Sequence, residues 1–214
     1  MSSVHGRRSF VSILASFAGF AAVHSGEEAA AQTPPATGEF DLSWLDQLQG
    51  KHKQVYDLGG FDLAEDQRPL RFCKNFLDTF RDVYKLESPA INTAVGISGG
   101  AMPMNVTDWA WEKYKLGERG KIMDPKTKQP AVRNIFYDGD DVSIKAMQAR
   151  GTVFWQCNVA LTNQAQQIAR AMNLPPAEVR ADLIKAFNPG VKLVPSHVMA
   201  LALVQERGFS YMKA

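Results

Sequence analysis

The chain has 214 residues, 45% of them hydrophobic and 21% charged, enough for one domain with a full core. Its 24 basic and 22 acidic residues leave a net charge of +2, which gives no electrostatic case for nucleic acid or an anionic membrane surface as partner. Cys73 and Cys157 are its two cysteines and no Cys-x-x-Cys occurs, so a disulfide framework, a zinc knuckle and a thioredoxin-type redox pair are excluded.

Residues 1–31 read as an export signal. Arg7 and Arg8 form a basic head, an apolar run covers 10–23, and Ala29, Ala30 and Ala31 are the small residues a signal peptidase accepts. The run is too short and too rich in Ala, Ser and Gly to span a bilayer, so no stable membrane insertion is expected after its removal. Arg7-Arg8 followed by Ser9 and Phe10 resembles a twin-arginine signal, which implies export of the folded protein to the periplasm; an ordinary secretory signal is the alternative. Residues 32–47, with Thr33-Pro34-Pro35, form a tether and N-terminal segment ahead of the domain proper, 48–214.

Within the domain, QVYDL at 54–58 predicts the first strand. A helix follows over 69–84, where Phe72, Phe76, Phe80 and Val83 recur on one face. INTAVGIS at 91–98 is the second strand, and 105–116 a second helix carrying Trp109 and Trp111. The polar stretch 117–137, with a turn at Asp124-Pro125, reads as a surface hairpin inserted into the core fold. A helix over 142–150, opened by Asp141 and closed by Gly151, leads to the third strand, TVFWQ at 152–156. Helices at 158–172 and 176–187 come next, the first with Leu161, Ala165, Ile168 and Met172 on one side, the second opened by Pro175-Pro176. VKLV at 191–194, a helix over 196–207 between Ser196 and Gly208, and FSYM at 209–212 complete the series.

Strands alternating with helices specify an α/β domain: a mainly parallel five-stranded sheet with helices on both faces. Ligands of such sheets collect beyond the carboxyl ends of the strands. Three features fall there: the loop containing Gly99, Gly100 and Met102, then Cys157, then His197 after Pro195-Ser196. Cys157 directly precedes a helix, whose unpaired N–H groups and dipole favour a thiolate. It is either such a working sulfur or a small hydrophobe packed under its helix. Cys73 lies on or beside the apolar stripe of its helix and reads as core. His197 could hydrogen-bond a thiolate or take a proton from a thiol; the alternative is a partly buried histidine at a helix start. Gly99-Gly100 allows close backbone approach without matching a dinucleotide or phosphate-loop fingerprint. Met102 and Met104 offer thioethers suited to Cu(I), but methionines at a core edge usually serve packing, and no metal or cofactor is implied.

A family resemblance extends this reading. The strand ending in Cys157-Asn-Val-Ala-Leu, the segment PGVKLVPS at 189–196 and the terminal LVQERGFSYMKA resemble the DsrE/DsrF-like sulfur-carrier family. The upstream HKQVYDLGG, NTAVGISGGAMPMNVTDWAWEKYKLGE and AVRNIFY are similar to its exported, longer members, so the resemblance spans about 48–214. It implies a homo-oligomer, a trimer or hexamer, in which one cysteine at a strand end carries sulfur as a persulfide between a donor and an acceptor protein. Cys157 matches that cysteine; no acid or base partner carries over. The other class open to the sequence is a non-catalytic periplasmic module that binds a small ligand or serves assembly.

Overall fold

The computed structural model of the protein describes Gly38 and residues 40–214; the expected export signal and the first part of the tether lie outside the described residues. The apolar runs form five strands: β1 (His52–Gly59), β2 (Ile91–Ser98), β3 (Val153–Cys157), β4 (Lys192–Val194) and β5 (Ser210–Lys213). They make one sheet in the order β4-β3-β2-β1-β5, with each neighbouring pair parallel. Side chains alternate across it. Tyr56, Leu58, Val95, Ile97 and Phe154 enter one core cluster, while Val55, Ala94, Trp155 and Val194 enter the other.

The connections from β1 to β4 all run over the first face. They contain α1 (Arg71–Tyr84), α2 (Asp108–Tyr114), α3 (Leu116–Arg119), α4 (Ile144–Ala149), α5 (Asn158–Met172) and α6 (Pro176–Lys185). Leu77, Trp111, Leu116, Met147, Leu161 and Leu183 represent these helices in the core of that face. Helix α7 (His197–Glu206) returns over the opposite face, from β4 at one edge to β5 at the other. Its Ala200 and Val204 pack with Trp44 and Leu45 of the 3-10 turn Ser43–Gln47. Right-handed crossovers require this division, because a return in the reverse direction must use the other side. The expected α/β architecture, with helices on both faces, is therefore the observed one.

Two local expectations change, and the inserted hairpin gains a root in the core. In α1 the side chains sealed in the core are Cys73 and Leu77, while the aromatic stripe lies beside them: Phe72 and Val83 are exposed, and Phe76 and Phe80 only partly buried. Helix α4 is capped by Ser143, whose Oγ accepts the Ala146 N–H at 3.3 Å, rather than by Asp141. The 117–137 excursion holds a single antiparallel bridge, Met123 to Pro130, and is rooted in the core through Ile122, Ala131 and Phe136. Gly117 permits that rooting, because a Cβ there would lie 2.0 Å from the Ala131 carbonyl oxygen.

Candidate functional site

The sheet order dictates where a crevice opens. β3 and β4 are neighbours, with Cys157 paired to Val194, yet β3 feeds α5 on one face and β4 feeds α7 on the other. Adjacent strands whose following helices part to opposite faces mark the topological switch point of an α/β sheet. Cys157 is the last residue of β3 and occupies that point.

Its sulfur is held by main chain. Cys157 has extended φ/ψ of −70° and 120° and serves as N-cap of α5, its Sγ accepting the Ala160 N–H at 3.4 Å. The Sγ also accepts the His197 N–H at 3.3 Å, from the first turn of α7. Two helix N-termini thus aim N–H donors at one sulfur. The strand end is fixed from behind: the Asn105 side-chain amide donates to the Trp155 carbonyl and to Gln156 Oε1, each at 3.1 Å, and Gln156 Nε2 donates to the Cys157 carbonyl at 3.2 Å. The residue itself is 4% exposed, while Val159 and Val198, in the first turns of the two helices, are exposed.

Of the two readings of His197, the structure has the buried histidine at a helix start, with its imidazole turned away from the thiol. The Trp155 indole N–H donates to its Nδ1 at 3.2 Å, and its Nε2 lies 2.6 Å from Asp57 Oδ1. Indole is a donor only, so Nδ1 carries no proton and Nε2–H donates to the carboxylate. Asp57 Oδ1 also accepts the Gly59 N–H at 2.6 Å, and its Oδ2 accepts the Tyr211 hydroxyl at 2.7 Å. Burial opposes ionisation of Asp57, but the donors Tyr211, His197 and Gly59 outweigh it and hold the carboxyl below its ordinary range. The same bond to the Asp57 carboxylate pushes the Tyr211 hydroxyl up. The imidazole fits over β2 because Gly96 leaves room: a Cβ there would come 2.7 Å from His197 Cε1 and 2.4 Å from Trp155 Cζ2. What residue 197 offers the sulfur is therefore its backbone amide.

The other expected rim residues divide. Gly99, with φ of +57°, and Gly100 lie at the rim against the loop after β1: their Cβ positions would fall 3.8 Å from Gly60 N and 3.3 Å from the Phe61 carbonyl oxygen. The side chain of Gln164 in α5 reaches the Gly99 carbonyl at 3.5 Å. Met102 is different. The chain turns down in a 3-10 segment, Gly99–Asn105, and buries Met102 and Met104 in the core, where neither lines a surface site. Cys73 is core as expected; burial first of all pushes its thiol up to about 11, and its Sγ lies 3.8 Å from Thr152 Oγ1. Thr152 directly precedes β3 and Cys157 ends it, roughly 16 Å apart at ~3.3 Å per residue. That exceeds disulfide reach, and both cysteines are free thiols.

Sequence reasoning missed Asp57, Trp155 and Tyr211. Asp57 left one signal, a carboxylate inside an otherwise apolar strand, and Trp155 left another, a polar-tipped ring two residues before Cys157 and so on the same face.

No protein-family model matches the chain, and no curated protein matches it. Among solved structures, a protein of unknown function, MTH1491, from Methanobacterium thermoautotrophicum is similar at 15% identity, with a TM-score of 0.37, over 77% of this chain and 100% of that one.

Proposed function

We propose that the chain is an exported sulfur-carrier or thiol-exchange protein of the DsrE/DsrF-like kind, acting through Cys157. The observation that supports it most is the pair of main-chain N–H donors, Ala160 and His197, on the Cys157 sulfur at a topological switch point. In the step envisaged, the Cys157 thiolate attacks the outer sulfur of a donor persulfide. The donor's S–S bond breaks, its inner sulfur leaves as a thiolate with the bonding electron pair, and the outer sulfur stays on Cys157 as a persulfide. Attacking and leaving groups are both thiolates, so no side-chain acid is required and the sequestered His197 imidazole is no obstacle. The export signal supports a periplasmic location, and the family resemblance an assembly as a trimer or hexamer with donor and acceptor proteins as its partners.

One observation favours a second reading, a module that binds or assembles without chemistry: the 4% exposure of Cys157. The two readings part in one experiment. The purified protein is treated with polysulfide and its intact mass measured, alongside Cys157→Ser and Cys73→Ala. Sulfur addition to the wild type and to Cys73→Ala, absent from Cys157→Ser, is the result expected of a carrier. An unmodified wild type leaves the binding module.

A further inference from the structure

We propose that two copies of this chain join edge to edge through β5, across a two-fold axis at Met212, into one continuous sheet. The inference does not depend on the sulfur chemistry; of the two assemblies named above, a two-fold contact of this kind fits the hexamer and not the trimer. Among the described residues β5 is an edge strand: it pairs with β1 alone, and all four of its residues are exposed. The Ala214 N–H donates to the Asp57 carbonyl at 3.1 Å, so Met212 and Ala214 turn their main-chain groups toward β1. By alternation, Tyr211 and Lys213 present N–H and C=O to the open side.

Those outward groups fit a second β5 run antiparallel. With Met212 on the axis, Tyr211 of each copy exchanges two main-chain hydrogen bonds with Lys213 of the other, four in all. Met212 faces its own counterpart as the close, non-hydrogen-bonded pair. The register also suits the charges, because Lys213, the charged residue of β5, stands opposite a tyrosine rather than another lysine.

Helix α1 supplies the apolar surface that would flank this seam. Its aromatic stripe runs from Phe72 to Tyr84, about 18 Å at 1.5 Å per residue. A groove of about 320 Å³ separates the stripe from β5 and is lined by Tyr56, Phe72, Phe76, Phe80 and Met212. Tyr84 is 65% exposed and Val83 64%, and Phe72, Tyr211 and Met212 are exposed as well. The four of these on the α1 face, Phe72, Val83, Tyr84 and Met212, expose on the order of 400 Å², the size of patch that often marks an interaction site. Two copies bring that to roughly 800 Å², and closing the strand edges carries it toward the range of stable interfaces.

The test is made on the full chain by sedimentation equilibrium and by cross-linking. Met212→Cys is expected to form a disulfide-linked dimer on mild oxidation, and Val132→Cys, more exposed but on the 117–137 excursion, none. Lys213→Pro removes one outward N–H per copy while sparing the groups that face β1. It is expected to weaken the dimer about thirtyfold, and Phe72→Lys to weaken it as well, with circular dichroism unchanged for both. A wild type that stays monomeric overturns the proposal, as does an assembly indifferent to Lys213→Pro and Phe72→Lys. So does a Met212→Cys chain that stays uncross-linked while its thiol is shielded from reagent, since another segment or partner then covers the edge.

Discussion

Gly96→Ala tests the seat beneath His197. The added Cβ falls 2.4 Å from Trp155 Cζ2 and 2.7 Å from His197 Cε1, both well inside contact distance. Neither ring can swing aside cheaply: Trp155 is fully buried, and the imidazole is held at both nitrogens. Overpacking of this kind costs about 1–3 kcal/mol, and separating indole from imidazole forfeits about 1 kcal/mol more. The expected loss is about 3 kcal/mol, or roughly 6–12 °C in Tm for a domain of this size. Urea unfolding followed by tryptophan fluorescence should show it as a lower midpoint at unchanged slope. Gly60→Ala is the matched control. It has φ of +83° and open space around the Cβ position, so backbone strain alone costs it about 1 kcal/mol. Equal midpoints for the two variants, or a Gly96→Ala loss under about 0.5 kcal/mol, would refute the account of the rings as fixed.

Three further outcomes follow from the same geometry. Asp57 ionises below its ordinary range when folded, so its stabilising contribution is complete above about pH 4 and disappears as pH falls through the folded value; urea midpoints should drop more steeply in acid for the wild type than for Asp57→Asn. Cys157→Ser should fold within about 0.5 kcal/mol of the wild type, because serine also accepts the N-cap hydrogen bond, while its capacity to take up sulfur disappears; a large stability loss would mark Cys157 as a packing residue. A thiol reagent applied to the native protein should modify Cys157 well before Cys73, which is buried and has its thiol pushed up to about 11; peptide mapping before and after unfolding reads the order.

Much of this architecture is legible in short-range pattern. INTAVGIS coincides with β2, and the spacing of Leu161, Ala165 and Ile168 identifies the buried side of α5, since burial on both faces leaves an unbroken apolar signature. Pattern fails where two faces of one helix are apolar. Phe72, Phe76 and Phe80 satisfy helical spacing as well as Leu70, Cys73 and Leu77 do, and spacing carries no information on which side meets the sheet. Met102 misled for a related reason: the residues after β2 sit at the rim, but the 3-10 segment turns them inward. Cys157 is conspicuous at its strand–helix junction, whereas its hydrogen-bond donors are peptide groups that leave no residue signature. Asp57, His197 and Tyr211 meet only because β5 returns beside β1, a pairing set by long-range topology.

Because peptide groups cradle the thiol, its environment is inherited through the path of the chain rather than through the identity of the neighbouring side chains. Substitutions at positions 160 and 197 leave both donors in place unless proline removes an amide hydrogen. Divergent chains can thus preserve the same surroundings for sulfur while sharing little beyond the cysteine itself, and Ala160→Pro or His197→Pro would erase that environment without touching the thiol.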